Sequence, residues 1–326
     1  MDAHQGAVGS EPAAPSASTV TVAVLVFNQA RFVAECLDSV AESAYPLLEI
    51  LIVDDASTDT SVAKVQSWRN DHPQIPTRLI ARPSNVGVPA NLNAALRGAQ
   101  GRYVALVAGD DRLLPGGIAC RVRYLESNPD ALACFADCRV INDRGETLFP
   151  SGIEGLYRSH GMRKRYLLSR KLVLPSVVRH WAVPGPVLML RRGALDAVGA
   201  FDETIPFGED RDIYLRLAAK GRLGFVDEVV AEYRVHDASA LRVRTRQVAS
   251  SEARVAARHA RGLRGMNRLF LTAQAAKLRA SARGRYDPAN ILLKLALSSL
   301  RTLSALTLDL RWRAERLRRR SRPAGR

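Results

Sequence analysis

The chain is 326 residues long, enough to bury a full-sized α/β core and still supply a further element. Its 47% hydrophobic and 25% charged content is that of a folded soluble protein, and no uninterrupted apolar run reaches the roughly 18 residues of a membrane-crossing helix. The net charge of +16 is uneven: Arg311 to Arg326 holds eight arginines against one acid, Glu315, a composition that attracts phosphates, anionic lipid head groups and nucleic acid.

Residues 1–18 are Ala, Ser, Pro and Gly with few large apolar groups, so they are expected to be a disordered tail rather than a secretory signal. Val20 to Val26 is the first strand, broken by Phe27-Asn28-Gln29. Ala30 to Ser43 has apolar groups at Phe32, Val33, Cys36, Leu37 and Val40, which is helical spacing. Glu49 to Val53 is a second strand followed at once by Asp54-Asp55, and a helix capped by Thr58 or Asp59 runs to about Trp68. Thr77 to Ala81 is a third strand. Asn85-Val86-Gly87 turns the chain, and Pro89 sits in the first turn of a helix that ends at Gly98. Tyr103 to Val107 is a fourth strand, again followed by paired acids, Asp110-Asp111.

Four alternations of strand and helix predict a parallel sheet with helices on both faces. Parallel strands share a carboxyl edge, and ligands of open α/β sheets bind beyond it. Both acid pairs therefore belong to one rim. Adjacent carboxylates repel unless a cation or a donor lies between them, which suits a divalent metal that holds a diphosphate. A solvated turn with an Asp helix cap is the plainer alternative for either pair.

Beyond that rim the chain predicts a helix from Pro115 to about Ser127, a strand from Ala131 to Ala136, and a hairpin turn at Asn142–Gly145. Residues 150–182 are basic and irregular, with helix in the middle. Val187 to Leu190 is a short strand and Arg192 to Val198 a short helix. Phe207-Gly208-Glu209-Asp210 opens a helix closed by Gly221, and Leu223–Val226 and Val229–Val235 read as two strands. After about residue 241 strand signals stop, and one or two long Arg-, Ala- and Leu-rich helices are expected, with a break near Gly284 to Pro288. Ile291 to Leu310 is Leu-rich but interrupted by Lys294, Arg301 and Asp309. Such a helix lies against its own domain, a second copy in a homo-oligomer, or a membrane surface as a peripheral contact; the three readings stand open. Cys36, Cys120, Cys134 and Cys138 complete no zinc site and read as reduced, mostly buried thiols of a cytoplasmic protein.

The ordered motifs resemble the inverting glycosyltransferases of family 2, which have the GT-A fold. They are Phe27-Asn28, VDDASTD at Val53–Asp59, Asn85-Val86-Gly87 with Asn93, GDD at Gly109–Asp111, VGAFDE at Val198–Glu203, GEDRDIYLRLAAKG at Gly208–Gly221 and YRVH at Tyr233–His236. The resemblance covers Val20 to His236. It implies a Rossmann-like, mainly parallel mixed sheet in a domain spanning 19–240, with 241–326 as a basic helical extension.

Residue by residue, the resemblance makes Asp210 the catalytic base and puts Asp54, Asp55, Arg82, Asn85, Gly87, Asn93 and Asp110 around the nucleotide sugar. It places a Mn2+ or Mg2+ ion on Asp110, Asp111 and His236, and an acceptor near Trp181, Gly185 and Glu209. The implied donor is a UDP-, dTDP- or GDP-sugar, and the implied acceptor is a glycan or lipid-linked hydroxyl of cell-surface polysaccharide or glycolipid synthesis. Two departures stand out: Ala108 replaces the aspartate usual two residues before Asp110, and Leu25 and Val26 replace small polar residues after the first strand.

Two other classes compete. A dinucleotide-dependent oxidoreductase needs a glycine-rich turn after the first strand, which Phe27-Asn28-Gln29 is not. A basic binder of membrane surfaces or nucleic acid, on a catalytically inactive scaffold, is motivated by the Arg-rich end. Nucleic acid is the weaker partner of the two.

Overall fold

A computed structural model describes residues 19–43, 45–46, 49–156, 163–181, 183, 185–237, 245–282 and 288–320. The tail 1–18, Pro184 and the expected break at Gly284 lie outside the described residues. The first half follows the alternation: β1 (Val20–Val26), α1 (Val33–Ala41), β2 (Glu49–Asp54), α2 (Ser61–Asp71), β3 (Thr77–Ala81), α3 (Val88–Gly98) and β4 (Tyr103–Ala108). β1 pairs in parallel with β2 and β4, and β2 with β3. Nearly every residue of β1, β2 and β4 is buried, as both sheet faces are covered by helices, whereas the edge strand β3 is half-open.

The second half adds β5 (Arg112–Leu113), α4 (Gly117–Ser127), β6 (Ala133–Ile141), β7 (Thr147–Phe149), α5 (Lys164–Leu167), α6 (Arg170–Arg179), β8 (Met189–Arg191), α7 (Ala194–Val198), α8 (Glu209–Ala219) and β9 (Leu223–Arg234). The sheet runs β3-β2-β1-β4-β8-β6-β9-β5, with β7 on β6. β8 is antiparallel to both β4 and β6 and joins the two halves. Residues 223–235, expected as two strands, form one. β9 follows β6 along its length, and register shifts around Asp137 absorb the polar interruption at Asp227 and Glu228 that looked like a turn. β6 is correspondingly longer than expected.

Among the described residues three helices follow, where one or two were expected: α9 (Thr245–Gly262), α10 (Gly265–Ala282) and α11 (Pro288–Arg320). Gly262 and Gly265 divide the first two, a stop signal hidden in an Arg- and Ala-rich stretch. Val255, Ala256, Phe270, Leu271 and Leu297 from these helices share one continuous apolar core with β1, β4 and α8. The expected boundary near 240 therefore does not divide the hydrophobic core.

Candidate active site

The sheet register fixes the rim. Val26 pairs with Asp54, and Leu25 lies between Val53 and Ala108, so β1, β2 and β4 end level with one another. A cavity of about 260 Å³ opens at that edge. Leu25, Val53, Leu92, Leu106, Val107 and Leu188 give it apolar walls, and Asp55, Asp111, Glu209 and Asp210 bring four carboxylates to it. Residues about 155 positions apart in the chain thus line one pocket: one acid from each of the two rim pairs, Asp55 and Asp111, and both acids of the Glu209-Asp210 pair.

The loops after β1 and β2 are stitched together. Asn28, in the left-handed region at φ 52°, accepts on Oδ1 from the Thr58 and Asp59 amides, and its own amide donates to Ser57 Oγ. Asp54 accepts from the Ser57 amide at 3.0 Å and from its hydroxyl. Asp54 is buried in this turn and does not line the cavity; here the turn-capping alternative describes its contacts. Phe27 stands 44% exposed at the cavity mouth.

Asp55 does line it. Its two oxygens accept from the Val86 and Gly87 amides at 2.8 and 3.0 Å, which pins the Asn85–Gly87 turn beside the pocket. Gly87 sits at φ +86°, a conformation that favours glycine. Arg82 donates from Nε to Asn91 Oδ1, and Asn91, a cavity residue, donates to the Gly87 carbonyl. Arg82, Asn85 and Gly87 shape the turn from behind the cavity wall. Asn93 has a different task from a ligand contact. Its buried amide exchanges hydrogen bonds with the Phe201 amide and carbonyl and donates to Glu203, all at 2.9 Å, so it clamps α3 to the VGAFDE loop.

Arg234 organises the second acid pair. Its buried guanidinium donates to the Asp110 carbonyl and to Glu35, and lies over the Phe32 ring at 4.7 Å, while its amide donates to Asp111 Oδ1 at 2.9 Å. Asp111 is therefore held inward. Burial and neighbouring Asp110 push its carboxyl well above the usual range. Asp110 instead faces His236, with Nε2 and Oδ2 3.0 Å apart.

Among the described residues no group of three or more His, Cys, Asp and Glu side chains could by itself hold a metal ion. The three expected metal residues thus do not form a closed cage. Asp110 and His236 do present an oxygen and a nitrogen side by side, which fits a cation that takes its other ligands from a diphosphate and water.

α8 positions the third acid pair. Gly208 precedes it at φ +82°, and a Cβ there would come within 2.8 Å of Glu252. Burial and Asp210 raise the Glu209 carboxyl to about 8; burial and Glu252 raise Asp210 to about 7. Behind them the fully buried Arg211 donates to Glu252 of α9 and to Gln274 of α10. Gly185 lines the cavity, and a Cβ there would come within 2.8 Å of the Tyr233 ring. Trp181 does not line it: its ring packs edge-on against Tyr214, which does.

Two polar groups in the cavity wall lack partners among the described residues, Gln29 Oε1 and Tyr214 Oη. Both are buried oxygens of residues in the wall whose hydrogen-bonding capacity is unused among the described residues. The sequence reading missed them, together with Arg234, Arg211 and Glu252. Gln29, Arg211, Tyr214 and Arg234 lie inside or beside the quoted motifs, whereas Glu252 lies outside all of them and carried no signal.

The family model for glycosyl transferase family 2 matches residues 21–183, half of the chain. The chain belongs to this family. An uncharacterized protein of Mycobacterium tuberculosis is 30% identical over 222 residues, covering 67% of this chain and 59% of that protein. This chain therefore spans less than two thirds of that relative. An uncharacterized glycosyltransferase of Haemophilus influenzae is 24% identical over 218 residues, 67% of this chain and 65% of the other.

Among solved structures, a mannosyltransferase of Pyrobaculum calidifontis in complex with GDP-Man and Mn2+ superposes with a TM-score of 0.60 at 21% identity, over 89% of this chain and 86% of that one. Residues 1–349 of TarS from S. aureus, in complex with UDP-GlcNAc, give 0.59 at 18% identity, over 81% and 73%. The shared architecture is the GT-A fold.

Proposed function

We propose that this chain is a metal-assisted, inverting glycosyltransferase that moves a hexosyl or deoxyhexosyl group from a nucleoside-diphosphate sugar to an acceptor hydroxyl of a glycan or lipid-linked glycan. One observation carries the proposal: Asp55, Asp111, Glu209 and Asp210 meet in a single cavity at the carboxyl rim of the sheet. The bound nucleotide sugars of the structural neighbours support the donor class.

In this reading Asp55 and the Asn85–Gly87 turn receive the nucleoside, and the apolar walls exclude water from the sugar. Asp210 takes the proton from the acceptor oxygen as that oxygen bonds to the anomeric carbon. The bond to the diphosphate breaks on the opposite face, which inverts the anomeric centre. General-base help of this kind contributes about 10²–10⁴-fold. A Mn2+ or Mg2+ ion held by Asp110 and His236 would neutralise the departing diphosphate. Arg234 keeps Asp110 in place, and Asp111 supports the turn from inside.

The test is nucleotide release from a panel of UDP-, dTDP- and GDP-sugars, with Mn2+ or with EDTA, for wild type, Asp210→Asn and Asp110→Asn. Turnover with one donor, suppressed by EDTA and by either substitution, is expected. Wild-type turnover that Asp210→Asn leaves untouched would refute the assignment of the base.

A further inference from the structure

α11 has two faces. Leu297, Ser304 and Leu308 are buried against the body of the protein, and Trp312 is half-buried beside them. Leu303, Leu306 and Leu310 point the other way and are 54, 59 and 67% exposed; Leu317, further along, is 66% exposed. At roughly 100° per residue these four leucines fall within about 60° of one another, a ridge about 21 Å long. Arg311, Arg313 and Arg316 are exposed on its flanks. A cavity of about 490 Å³ lined by Arg170, Lys171 and Arg318 lies against the same end of the helix. No helix among the described residues is long and apolar enough to cross a membrane.

We infer that α11 lies in the plane of an anionic lipid surface, with its leucine ridge in the acyl boundary and its arginines among the head groups. Charge complementarity selects this occupant. A second copy would set one arginine row against another, in a chain whose last sixteen residues carry eight arginines and one acid. Nucleic acid would meet the arginines but leave the leucines wet. A lipid surface satisfies both halves of the face at once. The inference does not depend on the transfer chemistry, and its failure leaves that reading standing.

The experiment is co-sedimentation of the full-length protein with vesicles of phosphatidylcholine alone or mixed with phosphatidylglycerol, at low and high salt. Wild type should bind only the anionic vesicles and lose most binding at high salt. Leu306→Gln/Leu310→Gln keeps the net charge and should lower partitioning by about 100-fold. Arg313→Glu/Arg316→Glu should lower it by at least about tenfold. Melting temperature and nucleotide binding should stay unchanged in both.

Three results would overturn the inference: no binding of wild type to anionic vesicles, vesicle binding indifferent to the two glutamines, or a wild-type dimer in light scattering that those glutamines dissociate. Duplex DNA binding as strong as vesicle binding, and equally indifferent to the glutamines, would also overturn it by marking the basic end as a general polyanion site.

Discussion

Glu252→Gln tests the electrostatics of Asp210, the proposed base. The Glu252 carboxylate accepts from Arg211 and is the leading charge that raises Asp210. An amide retains an oxygen for Arg211 but removes the charge. Two effects then act in one direction. The repulsion on Asp210 disappears, and Arg211, no longer matched by Glu252, stabilises the Asp210 carboxylate. With Asp210 at about 7 in the wild type, about one base in ten is ionised near pH 6. A like charge several ångströms away, at an effective dielectric constant of about 20, is worth about 1–3 kcal/mol. Discounted for cavity water, that is roughly one pH unit.

The variant base is then about half ionised near pH 6, about fivefold more than in wild type, and after the loss from its weaker basicity kcat/KM there rises about twofold. Well above pH 8 the weaker base is about two- to threefold slower than wild type. The assay is nucleotide release from the preferred donor across pH 5 to 9, under subsaturating substrate. An acid limb that stays put or moves upward would refute the reasoning. A uniform loss at every pH would show that Glu252 serves folding alone.

Three other variants probe the site and its surroundings. Glu209 and Asp210 are raised to about 8 and about 7, so between about pH 4 and 8 the folded chain holds protons that the unfolded chain has released; stability falls as pH rises through that window. Glu209→Gln/Asp210→Asn, which cannot titrate there, should melt higher than wild type above about pH 8 and show no such gain below about pH 4, as read by thermal melts at the two pH values. Tyr214→Phe removes a buried hydroxyl without a partner and should raise stability by about 1 kcal/mol in urea titration while slowing turnover; higher stability with full turnover would mean the hydroxyl meets no ligand. Asn93→Ala strips the Phe201 amide and carbonyl of their partners and should cost about 2–4 kcal/mol in the same titration, a value under about 0.5 kcal/mol refuting the clamp.

The sheet and its rim were legible because their signals are local. Apolar runs such as Val20–Val26 and Tyr103–Ala108 mark buried parallel strands, and the acids that follow β2 and β4 must share an edge once the strands are parallel. Gly208 announced the helix start that carries the Glu209-Asp210 pair, but only the family resemblance, and no local signal, placed that pair at the site. What stayed hidden depends on contacts between distant segments. Arg234 meets Glu35 across 199 positions, and Asn93 meets Phe201 across 108. No periodicity encodes such pairings. The misread strand at Leu223–Arg234 is the reverse case, where a local polar interruption looked like a turn but pairing with β6 carried the strand through it.

The C-terminal helices read in the sequence as an extension of the 19–240 domain, and their contacts pack them onto its core. Arg211 of α8 reaches Glu252 and Gln274, and Arg179 of α6 reaches Asn267 and Ser304. Val255, Ala256, Phe270, Leu271 and Leu297 cover the core from this side. At about 1.5–3 kcal/mol for each large apolar side chain and less for alanine, that cover is worth about 6–12 kcal/mol, against a net stability of about 5–15 kcal/mol for a typical protein. A chain cut after residue 240 is therefore expected to lose its cooperative melt and to bind an apolar dye as a loosened state. The measurement is calorimetry and dye binding on residues 19–240 beside the full chain. A truncated chain that melts sharply and still binds nucleotide would show that α8 holds its shape without Arg211's partners, and would remove the structural basis for Glu252 acting on the base.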